Sequence, residues 1–453
     1  MTINNVSNNR DFLKKLIFIG IPVVFQNLIS ISLNLIDTLM IGMLGERELA
    51  AVGAANQVFF IFSIALFGLY SGAAVYTAQY YGAKDFHGVR RMLGIDYAVG
   101  ACFAVIVTIV ALIFSPQIIH LFSSDSEVIG FGTDYLRIAA YSYVFAGISM
   151  AVSYNARAIQ NLKVPTIING IALGINALLN YLLIFGIGKF PELGVRGAAV
   201  ATLIARIIEF VALMTYIYTR KEHPFKTGPK ELFGFTKEQF IRVMKMAVPV
   251  VFTETSWSVS VALIFAAYGF LGTAALAVTQ VANVVTDMMQ SIYFGVGNAT
   301  AMIIGETLGQ GNKEEAYNDA KRSLKIVAIL NVFMTIGLML LSRPIAGIYN
   351  FNADTTELLV KTIITMALVI TPRMFGYIFI VGIFRAGGDT VFCMKLEVSC
   401  NMLVHVPIAF IAVLVLHTSL PVAIILGEIG NIIRICVCTP RLRSRKWINI
   451  ITN

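Results

Sequence analysis

The sequence predicts an all-α integral membrane protein, with twelve transmembrane helices in two six-helix lobes related by a pseudo-twofold axis along the membrane normal. Three observations carry that prediction. The 453 residues are 57% hydrophobic and only 13% charged, with a mean hydropathy of +0.79, which is more apolar surface than a soluble core of this size hides. Apolar runs of roughly 20 residues or more, enough to cross a hydrocarbon core of ~30 Å as helix, recur along the whole length. The chain also repeats itself: IPVVF at 21–25 returns as VPVVF at 248–252, and at the same displacement of 227 residues Gly42, Gly45, Asn56, Gly68 and Gly82 meet Gly269, Gly272, Asn283, Gly295 and Gly309. One residue of drift later, Arg157-Ala158 meets Arg385-Ala386, Pro116 meets Pro344 and Arg206 meets Arg434. Two homologous halves in an apolar chain point to transport by alternating access, in which one repeat moves against the other.

In order, the apolar runs of the first half are 16–43, 52–80, 93–114, 135–156, 165–188 and 196–218, and those of the second are 244–270, 274–304, 324–341, 359–384, 393–416 and 420–438. Six crossings return the chain to its starting side, so the second half enters the membrane in the same sense as the first and the repeats are parallel. The longest polar stretch, Thr219–Lys245 with Pro224, Gly228 and Pro229, joins them. The expected division is an N-lobe at 1–220, a cytoplasmic linker at 221–243, and a C-lobe with a short cytoplasmic tail at 244–453. Lysine and arginine set the orientation. With the N-terminus inside, the inner loops hold Lys84, Arg90, Arg91, Arg157, Lys163, the linker lysines, Lys313–Lys325 and Arg441–Lys446, and the outer ones little beyond Arg47, Lys189, Arg196 and Arg343. Both termini are then cytoplasmic.

The net charge of +9 is this topological bias, so no nucleic-acid partner is expected. Met1–Lys15 is polar and predicts no cleavable leader. The five cysteines lack zinc-type spacing and read as packing residues. No phosphate loop, Asp-rich metal pair or nucleophile constellation is present, which argues against an enzyme and against a bound cofactor. A pump of this composition draws its energy from ion or substrate gradients.

Polar residues at membrane depth carry the functional signal, since lipid penalises them. In the first span Asn27, Ser30, Asn34 and Asp37 share one helical face. In the eighth, Gln280, Asn283, Asp287, Gln290, Phe294 and Asn298 form a stripe whose counterpart in the second is Gly53, Asn56, Phe60, Ser63, Phe67 and Ser71. In the seventh, Glu254, Trp257, Ser258, Val261, Phe265 and Tyr268 align. These faces, with Met288 and Met289, predict a cavity walled by spans 1, 2, 7 and 8 whose acids, amides and rings suit amphipathic organic cations. For the amides, hydrogen bonding across a packed bundle explains the pattern equally well, and helix packing is the alternative for the rings. Arg373, mid-span in the tenth run, needs a carboxylate, with Asp287 or Glu254 the candidates. Arg206 and Glu209 pair at i and i+3, and Glu397 and Glu428 read as packing or inner-edge residues.

The strings LIDTLMIGMLG at 35–45, ELAAVGAANQV at 48–58, PELGVRGAAVAT at 191–202, TETSW at 253–257, GETLGQGN at 305–312, FRAGGDT at 384–390 and the tail RSRKWINIITN resemble a bacterial multidrug and toxic compound extrusion (MATE) transporter from end to end. The resemblance implies a V-shaped molecule of two six-helix lobes that exports organic cations in exchange for Na⁺ or H⁺. It is implied to be a monomer in the bacterial inner membrane whose partners are organic cation drugs or toxic small molecules and the lipid bilayer. It implies a cation-coupling site of Asp37, Asn176, Asn180, the Ala198 carbonyl and Thr202, with Asp37, Asn180 and Thr202 as candidate Na⁺ ligands. The residues agree, for Asn176 and Asn180 fall at i and i+4, and a carboxylate with amide, hydroxyl and carbonyl oxygens is a donor set hard cations prefer. Some relatives carry an aspartate where Asn180 stands, so a single charge is left in the site. Glu254 resembles the family's acid in the seventh span, whereas Leu358–Phe384 holds no acid and has Arg373 instead. Substrate or proton roles are thus expected of Glu254, Asp287, Asn34, Gln280, Asn283, Trp257, Tyr268 and Met288. The competing reading is a lipid-linked oligosaccharide flippase of related architecture, which would need a more basic cavity for pyrophosphate.

Overall fold

A computed structural model of the chain describes residues 3–123, 125–220, 223–348 and 351–450, with the side chains of 3–8, 33, 35 and 273 left out. All regular structure among them is helical. The helices are α1 (Ile3–Gly42), α2 (Glu46–Gly82), α3 (Phe86–His120), α4 (Ser126–Ala139), α5 (Ser142–Ala158), α6 (Lys163–Phe185), α7 (Val195–Thr219), the short α8 (Pro229–Leu232), α9 (Lys237–Gly269), α10 (Thr273–Gly309) and α11 (Lys313–Ala346). They are followed by α12 (Ala353–Phe384), α13 (Thr390–Val415) and α14 (Leu420–Arg443). Ten of these are long and apolar enough to cross a membrane, and α4 and α5, bent by 52°, make an eleventh crossing. The twelfth is α10, 37 residues long, whose hydropathy is lowered by Gln280, Asn283, Asp287, Gln290 and Asn298. The twelve crossings read from the sequence are therefore present, with α4 and α5 as the fourth, α6 and α7 as the fifth and sixth, and α9 to α14 as the seventh to twelfth.

The bend in the fourth crossing has no proline or glycine to mark it. Its exposed backbone is satisfied by side chains instead: the Thr108 hydroxyl of α3 donates to Ala140 O at 2.9 Å and Ser142 donates to Ala139 O at 2.6 Å. Repeated residues build repeated local structure. Asp85 caps α3 by accepting from Gly88 N at 2.9 Å, and its counterpart Asn312 caps α11 by accepting from Glu315 N at 3.1 Å. Gly272, at φ +103°, starts α10 from a conformation that side chains resist.

The chain divides into two compact units, Phe25–Met244 and a second made of Met1–Val24 with Lys245–Asn453. The division falls inside α1 and inside α9, close to Pro22 and Pro249 of the repeated motif. Residues 1–24, grouped with the first half by the repeat, pack with the second. There Lys15 pairs with Glu306 at 3.2 Å, and α1 meets α10 backbone to backbone: a Cβ on Gly295 would lie 2.8 Å from Gly20 O. In the Phe25–Met244 unit the start of α9 is held in the matching way, by Tyr76 donating to Arg242 O at 3.4 Å. Much of the linker is ordered against α3. Phe225 and Leu232 join a core with Val89 and Leu93, Arg90 donates to Pro224 O at 2.9 Å and pairs with Glu231 at 3.0 Å, and Gly94 leaves room for the Leu232 carbonyl. In the other unit the tail docks on the FRAGG turn, with Trp447 fully buried and Asn449 N donating to Gly387 O at 3.1 Å.

Candidate functional site

In the Phe25–Met244 unit, helical periodicity brings the five expected cation-site residues together. Asn176 and Asn180 occupy one buried face of α6, and Ala198 and Thr202 lie one turn apart on α7. Asn180 Nδ2 donates to Asp37 Oδ1 at 2.9 Å. With its amide oriented to satisfy both neighbours, Asn176 donates to Asp37 Oδ2 at 3.0 Å and accepts from Thr202 N at 3.2 Å. The Thr202 hydroxyl donates to Ala198 O at 3.0 Å. The Asn180 side-chain oxygen is buried without a hydrogen-bond partner among the described residues. Arg206, one turn beyond Thr202, lies within electrostatic reach of Asp37, but its guanidinium is bound 2.8 Å from Glu209, as the i, i+3 spacing predicted. Asn169 donates to the other Glu209 oxygen at 2.8 Å. That pairing leaves Asp37 the carboxylate of the group without a salt bridge among the described residues.

Two further residues join this site that the stripe pattern did not assign to it. The Tyr135 hydroxyl of α4 hydrogen-bonds with the Thr202 side chain and reaches Asn56 Oδ1 at 3.3 Å. Asn56 belongs to the α2 stripe, so its periodicity was visible; Tyr135 carried no signal at all. Asn34 stays apart, its side chain exposed and its carbonyl accepting from Thr38 at 2.8 Å.

The second unit arranges its charges differently from the sequence expectation. Glu254 pairs with Arg385 at 2.7 Å, with the arginine buried. In the first unit Arg157, the counterpart of Arg385, also reaches the first helix but donates to Gln26 at 2.7 Å, next to Asn27, the counterpart of Glu254. Arg373 does not pair with Asp287 or Glu254; its partner is Glu428 of α14. From Glu428 the network continues through Asn431 (2.6 Å) to Arg434 (2.6 Å), which holds Asn401 at 3.1 Å and Glu397 at 3.0 Å. Glu397 and Glu428, read as packing or inner-edge residues, are thus the counter-charges of the buried Arg434 and the half-buried Arg373. The reason is rotational: Arg373 projects toward α14, a direction that spacing along one helix does not reveal.

Asp287 forms no ion pair among the described residues. It accepts from Gln290 at 3.3 Å and lies within electrostatic reach of Arg373. Along its helix Thr279, Thr286 and Ser291 turn their hydroxyls back onto their own backbone, while Gln280, Asp287 and Met288 are exposed and Asn283 half-buried. On α9 Trp257 is 46% exposed, whereas Tyr268 is 5% exposed and packs with Ala267, Val278 and Ile363. Tyr268 is therefore core, not surface. Phe294 packs against Tyr377 with ring centroids 5.0 Å apart and the planes tilted by 53°. No cluster of three His, Cys, Asp or Glu side chains occurs among the described residues, so the N-unit site offers one carboxylate and neutral oxygens.

Comparison with known proteins gives a consistent picture. The MatE family profile matches residues 22–182 and 249–411, one copy in each half. The probable multidrug resistance protein NorM of Rhizobium meliloti is 30% identical over 346 residues, spanning 74% of this chain and 71% of that protein. The protein of the same name from Thermotoga maritima is 25% identical over 346 residues, 76% and 74% of the two chains. Among solved structures, an outward-facing multidrug resistance MATE family transporter of the MOP superfamily aligns with a TM-score of 0.86 at 19% identity over 98% of this chain and 99% of that one. A MOP superfamily transporter from Pyrococcus furiosus aligns with a TM-score of 0.85 at 19% identity, covering 98% and 99%. At these identities the structures show the fold.

Proposed function

The chain belongs to the MatE family of membrane transporters, and we propose that it is a secondary active multidrug efflux antiporter that exports organic cations in exchange for Na⁺ or H⁺ by alternating access. It acts as a monomer in the bacterial inner membrane with both termini cytoplasmic. The observation that carries this reading is the convergence of Asp37, Asn176, Asn180, Ala198 and Thr202 in one part-buried site whose carboxylate forms no salt bridge among the described residues. A proton on one Asp37 oxygen would require the amide that now aims an N–H donor at that oxygen to turn its own oxygen inward, and a Na⁺ beside the carboxylate would draw both amide oxygens inward. Asn180 Oδ1 is already uncommitted. Ion binding therefore reorganises α1, α6 and α7 together.

The driving force is adequate. One charge crossing the full potential gains ~2.3 kcal/mol per 100 mV and a unit of pH adds ~1.4 kcal/mol, enough to bias two states that differ by a few kcal/mol. In the second unit Asp287 is the better candidate for attracting a cationic substrate, because the charge of Glu254 is already matched by Arg385. Exposed Trp257 and Met288 supply the adaptable apolar surface that many cation shapes require. Ethidium efflux from proteoliposomes under an imposed Na⁺ gradient, and then under a pH gradient, tests the reading; efflux that follows neither overturns it.

A further inference from the structure

Another buried acid lies within the Phe25–Met244 unit, enclosed by α2, α3 and α5. Asp96 is fully buried. Its Oδ2 accepts from Asn155 Nδ2 at 2.6 Å, and the same amide group donates to Ala151 O at 2.9 Å while its oxygen accepts from the Thr77 hydroxyl at 2.7 Å. Oδ1 of Asp96 has no hydrogen-bond partner among the described residues. No lysine, arginine or histidine among the described residues forms an ion pair with it; the titratable groups facing it are Tyr70 from α2 and Tyr97 from α3, and α5 contributes only the neutral Asn155. Tyr70, itself fully buried, donates to Gly147 O at 2.9 Å. It can approach there because Gly100, one turn beyond Asp96, has no side chain: a Cβ would lie 1.8 Å from the Tyr70 hydroxyl.

An ionised carboxylate in such surroundings, with one amide donor and no counter-charge, costs several kcal/mol or so. A hard metal ion is a poor remedy, since it needs about six oxygens and meets here an N–H donor and a single uncommitted oxygen. A proton on Oδ1 removes the charge and needs no further ligand. We propose that Asp96 is a proton-binding site separate from Asp37, protonated in this conformation and deprotonated when α2, α3 and α5 part. On opening, the Oδ1–H bond breaks and the proton passes to water; on closure Oδ1 takes one up, with no change of oxidation state. Because the site is sealed here, proton exchange is gated by the conformational change. The role in coupling rests on the antiport reading, while the protonation itself does not.

The test uses the full chain in proteoliposomes. Infrared difference spectroscopy should show a protonated-carboxyl band, shifted in D₂O, that Asp96→Asn removes and Asp37→Asn leaves in place. Asparagine mimics the neutral acid, so the variant should unfold at the wild-type temperature; should it not fold, Asp96→Glu must move the band. Ethidium efflux by Asp96→Asn should then lose up to about tenfold of its response per unit of imposed pH gradient. If the wild type moves no ethidium, the antiport reading fails and the band alone decides this inference. A spectrum in which Asp96→Asn removes nothing, or efflux with the full wild-type pH response, overturns it.

Discussion

Replacing Arg385 by methionine should destabilise the second unit chiefly by stranding Glu254. The guanidinium and carboxylate are 2.7 Å apart, with side chains 4% and 16% exposed. Removing one member of a buried pair typically costs ~3–5 kcal/mol. Glu254 keeps some exposure, which places Arg385→Met near the lower end, ~3 kcal/mol. Adding Glu254→Gln removes the stranded charge, so the double variant should regain most of the loss and reveal a coupling of roughly 2 kcal/mol in a double-mutant cycle. The midpoint of SDS-induced unfolding of the four proteins measures it. A double variant no more stable than Arg385→Met would refute the reasoning, because Glu254 would then not depend on Arg385 for its charge balance.

Trp257→Ala should reorder the preference among exported cations while leaving expression intact, as competition against ethidium efflux can measure; uniform loss with poor expression would assign the ring to packing. Gly94→Ala should release the linker, since its Cβ would fall 1.7 Å from Leu232 O, a backbone atom that has to move; protease cleavage around 223–236 should accelerate. The linker should also respond to acid. Hydrogen bonds from Thr227 first, then from Arg90 and His87, pull Glu231 down to about 2 from 4.5, so the docking contribution of Glu231 is intact above 4.5 and is lost as the pH falls toward 2. Cleavage that is flat across that window would contradict this.

The sequence made the repeat and the crossings legible because both rest on local pattern: apolar runs of membrane length and identities at a fixed displacement. It understated helix length, giving 93–114 where α3 runs Phe86–His120, since polar residues outside the hydrocarbon continue a helix without adding hydropathy. The α4–α5 bend was hidden because Thr108, distant in sequence, supplies the hydrogen bond that makes it tolerable. The grouping of Asp37, Asn176, Asn180, Ala198 and Thr202 came from the family resemblance, with which the i, i+4 spacing of the two amides agrees. The partners of Arg373, by contrast, depend on how α12 and α14 are rotated about their axes, and spacing along a single helix is silent on that. Asp96 escaped for a similar reason, being one acid with no stripe, whose meaning comes from the neighbours that enclose it.

Asp37 stands at the centre of the account, and Asp37→Asn tests it most directly. The substitution keeps the side-chain shape and removes the carboxylate charge of the N-unit site that forms no salt bridge among the described residues. Ethidium binding to the purified variant should stay close to wild type, while efflux from proteoliposomes should no longer respond to an imposed Na⁺ gradient and should keep only the part of the pH response that Asp96 carries. Efflux by Asp37→Asn that still tracks either gradient as the wild type does would contradict the assignment.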